Sequence, residues 1–97
     1  MKNDDKRFIN TLISGLSIDR SRLAPVHNSF LKIKTSIYDK LKEDDSSNPE
    51  LRAELEELNE FISDFLSEIL ILDGVIASRI STLGDIKNEK ERENNQD

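Results

Sequence analysis

The chain has 97 residues, of which 35% are charged and 5% aromatic, with no Trp and no Cys. This length suits one domain with a modest core, and the absence of cysteine excludes a disulfide framework or a thiolate metal site. Three Gly and two Pro favour few, long helices. The N-terminal MKNDDKRF lacks the apolar segment of a signal peptide, so we expect an intracellular, cytoplasmic protein.

The net charge of −6 is unevenly distributed. Residues 1–42 hold nine Lys and Arg against four Asp and Glu, whereas residues 43–97 hold five against sixteen, giving +5 and −11. The basic half is too weakly charged to indicate nucleic-acid binding, and the acidic half would repel phosphates. The pattern predicts that the two halves face each other as oppositely charged antiparallel helices.

The first 42 residues predict two helices joined by a short connection. Apolar residues at helical spacing favour a helix over residues 4–14, with Gly15 as its natural stop. Residues 17–22 offer three candidate N-caps, and Pro25 suits the first turn of a second helix over residues 23–42. Its apolar residues alternate steps of three and four: Leu23, Val26, Phe30, Ile33 and Ile37.

The segment EDDSSNPE is the clearest loop in the sequence. Asn48 can cap the next helix with Pro49 at its first position, or Ser47 and Glu50 can form a capping box. A long helix over residues 49–84 follows. Its apolar residues keep one heptad register: Leu51, Leu55, Leu58, Ile62, Phe65, Ile69, Leu72, Ile76, Leu83 and Ile86.

The C-terminal segment is polar. Residues 87–97, KNEKERENNQD, contain no apolar side chain, so we expect a frayed or disordered tail. The sequence therefore predicts a single all-α domain over residues 1–86. Its expected form is an antiparallel helical hairpin or a three-helix bundle with a long, heptad-patterned C-terminal helix.

The apolar stretch FLSEILILDGVIASRI, residues 65–80, raises the question of what covers it. The helix over residues 23–42 is shorter than the C-terminal helix, so it would cover only the first part of that helix. The corner at residues 15–22 could place the helix over residues 4–14 on the rest, but a second apolar flank of the C-terminal helix would still lie open. Apolar surface left open on this scale indicates an interface. The residues that we predict to bind a partner are Phe65, Leu66, Ile69, Leu70, Leu72, Ile76, Arg79 and Ile80.

Two residues in this stretch allow alternatives. Gly74 is compatible with a continuous helix, which the unbroken heptad favours, or with a break that lets a short fourth helix fold back. Arg79 is the single polar residue of the heptad seam. It can fix register or partner choice, or it can extend its charged end into water near the helix terminus.

Candidate catalytic residues are few. His27 is the only histidine and has no motif that would supply a nucleophile, so it is interpreted as an edge-of-core residue. Glu57, Glu60, Asp64 and Glu68 lie along one helix face, but the Glu-x-x-His pairs of a dimetal bundle are missing. We expect no enzymatic activity, no cofactor and no metal.

The stretch ELEELNEFISDFLSEILILDGV resembles the second helix of the BAG domain, a three-helix module of Hsp70 co-chaperones. The resemblance rests on Leu72, Asp73, Gly74 and Val75, which match a Leu-Asp-x-Val type of motif. It implies that Asp73 and Glu68 would face the Hsp70 nucleotide-binding domain and promote nucleotide release. The segment after Ile86 departs from the family, whose third helix carries apolar residues.

The sequence favours a small structural or adaptor subunit that associates through its long C-terminal helix. Its expected partner is a second copy or another helical protein, with no nucleic acid and no membrane. A BAG-like co-chaperone that binds Hsp70 is the first alternative. A small acidic inhibitor, such as an immunity protein or antitoxin, is the second, and it rests on acidity and size alone.

Overall fold

Two long α-helices make up the fold. The computed structural model describes residues 2–43 and 47–95, in which α1 spans Asn3–Lys42 and α2 spans Pro49–Asn95. The helices pair as an antiparallel hairpin, which confirms the predicted all-α hairpin with a long C-terminal helix. Contacts group the hairpin into two units. The loop-proximal unit is Ala24–Ile71, and the terminal unit combines Met1–Leu23 with Leu72–Asp97.

The start of α2 follows from its cap. The Asn48 side-chain oxygen accepts a hydrogen bond from the Leu51 amide at 3.1 Å, and the Asn48 carbonyl accepts one from the Arg52 amide. Pro49 occupies the first helical position, where its missing N–H costs nothing, and Glu50 favours the positive end of the helix dipole. The predicted start of this helix at residue 49 is confirmed.

The first 42 residues form one helix, so the predicted break over residues 15–22 is wrong. Gly15 has no positive φ and therefore does not end the helix as a left-handed cap. The Ser21 hydroxyl donates to the Ile18 carbonyl at 2.6 Å, so this candidate cap is accommodated inside the helix. Pro25 also lies within α1, and its missing amide leaves the Ser21 carbonyl without its usual partner four residues on.

The second helix is continuous through Gly74, as the unbroken heptad predicted, and no further helix occurs within residues 2–43 and 47–95. It also continues beyond the predicted end at residue 84 to Asn95. The polar segment from residue 87 therefore has helical backbone within the described residues. Lys, Glu and Arg are good helix formers, so polarity by itself does not end a helix.

The core of the loop-proximal unit is a narrow seam. Ile62 is 1% exposed and packs with Ile37 and Leu66. Phe30, Leu41 and Leu55 pack around these three residues. If each heptad is written abcdefg with Ile37 and Ile62 at position a, the buried and half-buried seam residues occupy positions a and e.

The terminal unit repeats this pattern with a thinner core. Ile9 is buried, and its neighbours at positions a and e are half-buried: Ile13, Leu16, Leu23, Ile76, Ile80 and Leu83. The N-terminal half of α1 therefore covers one side of the second half of α2. The cover that the sequence assigned to a separate helix over residues 4–14 is thus supplied by the first part of the continuous α1.

The seam uses a different column of α2 from the one predicted. Position a lines the seam as predicted, but the second column of the seam is position e and not position d. Leu58 is 36% exposed and Leu72 is 47% exposed, although both were assigned to the seam. Asn59, Leu66 and Asp73 take these places instead. Most of the apolar d column of α2 is thereby left outside the seam.

Truncation of Ile62 tests the core. Replacing Ile62 by Ala should lower the free energy of unfolding by about 2–5 kcal/mol, because it removes a fully buried side chain. Ile71→Ala is the matched control, since Ile71 lies on the same helix and is 67% exposed. Its effect should stay within about 0.5 kcal/mol in urea denaturation at one protein concentration. Equal losses in both variants would contradict this core.

Gly74 offers a test of helix continuity. A Cβ added at Gly74 would meet no atom within 4 Å, and the residue lies inside α2. Gly74→Ala should therefore raise the free energy of unfolding by about 0.5–1 kcal/mol, because alanine loses less backbone entropy in a helix. Thermal denaturation followed by circular dichroism would measure it. A lower unfolding temperature would indicate that the chain turns at this residue.

Candidate interaction surface

A stripe of exposed apolar residues follows α2 beside the seam. In the loop-proximal unit it occupies positions d and g, which recur in steps of three and four. We call this set the outer stripe. Its members on α2 are Leu51, Leu58, Phe61 and Phe65. Leu51 and Phe61 are 44% and 63% exposed, and Phe65 is half-buried. A helix with apolar residues on a, d and g can contact two neighbours, but the seam supplies only one.

Three aromatic rings connect the core to this stripe. Phe30 lies beside Phe65, with ring centroids 4.9 Å apart and planes at 64°, an edge-to-face contact. Phe65 stacks with Phe61 at 6.4 Å, with planes 6° apart. The half-buried Phe65 thus positions the exposed Phe61 ring through this stacking contact. Large exposed aromatics held by a packed neighbour are the type of residue that anchors protein interfaces.

The first helix extends the outer stripe with Val26 and Ile33, which are 40% and 43% exposed. Both helices use positions a and e for the seam and run in opposite directions, so their d and g positions lie on the same side of the pair. Position g of α1 carries the small residues Ser29 and Ser36. Side chains on the α1 side of this surface therefore extend less far from the helix than those on the α2 side, where Phe61 projects.

Carboxylates border the stripe on α2. Position c, the next column outward, holds Glu50, Glu57 and Asp64, and position g holds Glu54 and Glu68. All five side chains are exposed. On α1 the corresponding outer column carries Lys32 and Asp39. The apolar surface of the loop-proximal unit thus has a strongly acidic edge along α2.

The terminal unit has exposed apolar residues of its own. Phe8 and Leu12 on α1 are 62% and 37% exposed, and they occupy positions g and d. On α2, Val75 and Ile86 are 49% and 42% exposed and occupy positions g and d. Leu72 lies in the same d column. The heptad pattern of the outer stripe therefore recurs in this unit.

An ion pair lies in the seam of the terminal unit. Arg20 Nε donates to Asp73 Oδ1 at 2.8 Å, and Arg20 Nη2 donates to Asp73 Oδ2 at 3.4 Å. The hydrogen bond from Arg20 holds the pKa of the Asp73 carboxyl below its usual range, partial burial opposes this, and the charge of Arg20 adds to it. Since both side chains are about 40% exposed or more, the pair fixes helix register more than it adds stability.

The predicted partner residues are divided between the hairpin interior and its surface. Leu66 and Ile69 are 7% and 6% exposed, so they lie in the interior of the hairpin and not on its exposed surface. Ile76 and Ile80 are half-buried in the seam, and Phe65 is half-buried beside it. The exposed members of the predicted set are Leu70, Leu72 and Arg79.

Sequence reasoning did not commit to the exposed residues at the centre of the outer stripe. Phe61 was not among the predicted partner residues, and Leu58 and Ile33 were assigned to the heptad columns. The polar residues Lys34 and Asn59 were the available signal, because they occupy position e on both helices, and matching polar columns indicate facing positions. Reading e as the seam would have left d and g outside it.

Other chemistry was sought across the described residues. His27 is half-buried at position e of α1, consistent with the predicted edge of the core. Within residues 2–43 and 47–95, no three His, Cys, Asp or Glu side chains group in a way that could hold a metal ion. In that same part of the chain, neither helix has a segment with the length and apolarity needed to cross a membrane.

Comparison with known proteins adds no relative. No family model, no curated protein and no solved structure matches the chain. The resemblance to the BAG domain stays a prediction. Its key residue, Asp73, is engaged by Arg20 in this structure. The exposed apolar surface of the hairpin is thus the feature that bears on function.

The pKa of Asp73 provides a pH test of the seam. A lowered pKa in the folded chain means that the pair stabilises the fold above the ordinary pKa of about 3.9, and that this contribution disappears as the pH falls through the lowered value. NMR titration should show the Asp73 carboxyl titrating below its normal range, and Arg20→Gln should return it there. If the Asp73 carboxyl titrates in the variant as it does in the wild-type chain, the ion pair does not form in solution.

Proposed function

We propose that this chain is a non-catalytic helical interaction module, a small structural or adaptor subunit that binds a helical partner through the outer stripe. The observation that carries the proposal is the exposed ring of Phe61, which stacks with Phe65 and shares the outer stripe with the exposed Leu58 and Ile33. Contiguous apolar patches of this kind on water-exposed surfaces mark interaction sites. The long C-terminal helix provides most of the surface, in agreement with its heptad pattern.

No specific structural observation favours either alternative that the sequence suggested, the BAG-like co-chaperone or the acidic inhibitor. Under the BAG-like hypothesis Glu68 would face Hsp70, and this exposed residue is free to do so sterically, but Asp73 is paired within the seam. An acidic inhibitor would use the carboxylates of α2 to bind a basic enzyme. In both cases the outer stripe would have no role, whereas the proposed module uses it directly.

Site-specific photo-crosslinking tests the proposal. A photoreactive phenylalanine analogue replaces Phe61 in one variant and Ser67 in the other, in the cells that produce the protein. Both positions are exposed on α2, but Ser67 lies at position f, away from the outer stripe. We expect discrete crosslinked protein bands from position 61 and none from position 67. Equal crosslinking from both positions, or none from position 61, would contradict a function in association through this surface.

A further inference from the structure

The loop-proximal unit has two oppositely charged helix segments. Residues 24–42 of α1 carry four Lys against one Asp, and residues 49–71 of α2 carry one Arg against seven Asp and Glu. Beside the outer stripe, at positions c, d and g, α1 presents Lys32 and Lys40 against Asp39. At the same positions α2 presents no basic residue and five carboxylates: Glu50, Glu54, Glu57, Asp64 and Glu68. A partner that covers this surface best would present basic residues to the acidic edge of α2.

A second copy of the chain meets this requirement. Each copy offers basic residues on α1 and the acidic edge of α2 beside one apolar surface, and a two-fold axis presents the same patch from both sides. We propose that the outer stripe of the loop-proximal unit is covered by the same unit of a second copy, with α2 of each copy lying on α1 of the other. This inference rests on the proposed function and names its partner.

Side-chain size favours the same arrangement. Arg52 contacts the Leu41 carbonyl and Phe65 contacts Phe30, so Phe61 lies about level with Ile33. Ser29 and Ser36 lie one helical turn away on either side of that level. When α2 lies on the partner's α1, the projecting Phe61 ring enters the space between these two small serine side chains. This is knob-into-hole packing, in which a large residue opposes small ones.

The competing two-fold arrangement is less favourable in both its charge contacts and its side-chain packing. If α2 lay on the partner's α2, the Phe61 rings of the two copies would meet within one column, and the acidic edges would lie together. The serines of α1 would then face each other and leave space. The favoured arrangement instead requires a two-fold axis parallel to the helices, so that both interhelix loops lie at the same end of a four-helix assembly.

One charge pair distinguishes the two arrangements. Lys32 lies in the outer column of α1, within about one helical turn of the level of Asp64 in the outer column of α2. In the favoured arrangement Lys32 of each copy faces the partner's Asp64. In the competing arrangement Lys32 faces the partner's α1, and Asp64 faces the partner's α2. Exchange of these two charges therefore reports which helix lies on which.

The first experiment measures mass by light scattering across a dilution series of the full chain. The wild-type chain should be a dimer at micromolar concentration. Phe61→Glu should raise the dimer dissociation constant by about 30-fold or more while helicity is retained, because it buries a charge at the centre of the interface. Leu70→Glu is the matched control, since Leu70 is also 63% exposed but lies at position b. It should change the constant by less than about 3-fold.

The second experiment exchanges the charges. Lys32→Glu and Asp64→Lys should each weaken the homodimer, since each places like charges opposite each other, and the double variant Lys32→Glu/Asp64→Lys should restore it, because both pairs are attractive again. When the double variant is mixed with the wild-type chain, the favoured arrangement places like charges opposite each other in the mixed pair, so native mass spectrometry should show both homodimers in excess of the heterodimer. An excess of the heterodimer, or statistical mixing, would overturn the assignment of α2 to the partner's α1, because contact between like helices would make the mixed pair attractive.

The outcomes separate this inference from the proposed function. A well-folded wild-type monomer at all concentrations, together with crosslinks from position 61 to a different protein, would overturn the second copy and leave the interaction module intact. A monomer without crosslinks from position 61 would overturn both. A dimer that Leu70→Glu disrupts and Phe61→Glu does not would place the interface on the other side of the hairpin and overturn the inference.

Discussion

One neighbouring helix can cover only one stripe of another, and the rest of this structure depends on that constraint. In each unit α1 covers positions a and e of α2, and no third helix is available among the described residues to cover d and g. The apolar residues on α2 are more numerous than a single seam accommodates. Ile62 becomes almost fully buried, while Phe61, the adjacent residue, stays exposed. The interaction surface is a direct consequence of a two-helix fold with a three-column apolar helix.

The choice of e over d needs its own reason, because d is the more apolar column on α2. Position e carries polar residues on both helices at two matched levels, Arg20 with Asp73 and Lys34 with Asn59. Arg20 meets Asp73, and Arg52 donates to the Leu41 carbonyl at 3.2 Å. By the same spacing Lys34 lies level with Asn59, whose Oδ1 is buried and has no hydrogen-bond partner in the described structure. Polar residues at matched levels specify one register and one antiparallel pairing, at some cost in buried apolar area.

Much of the fold was predictable from local signals. Asn48 and Pro49 defined the start of α2, and the heptad through Gly74 correctly indicated a continuous helix. The missed feature was the continuity of α1. Gly15 and the serines after it are helix-ending signals by composition, but the seam column through Ile13, Leu16 and Leu23 continues across them. Tertiary packing along a long partner helix outweighs weak local propensities, and a local pattern does not contain that information.

The sequence predicted that an exposed apolar surface exists, but it identified only some of the residues that form it. Excess apolar surface on the C-terminal helix correctly indicated exposed apolar side chains. The sequence did not indicate that Leu66 and Ile69 are buried within the hairpin, because a broad apolar stripe does not show which of its edges the neighbouring helix covers. That edge is decided by the residues of α1, through the matching of its e column with that of α2. A pattern on one helix therefore identifies a surface only after the pairing with the other helix is known.

The charge asymmetry of the two halves has a consequence beyond the hairpin itself. The sequence suggested that the acidic and basic halves neutralise each other across the seam, but Glu50, Glu57 and Asp64 lie outward at position c. Carboxylates at that position contribute little to the seam and instead border the apolar surface. They oppose stacking of one α2 on another, which the apolar residues alone would permit, since like charges at an interface disfavour the wrong partner. The exposed phenylalanine provides the attraction of this surface, and the acidic edge restricts what can bind there.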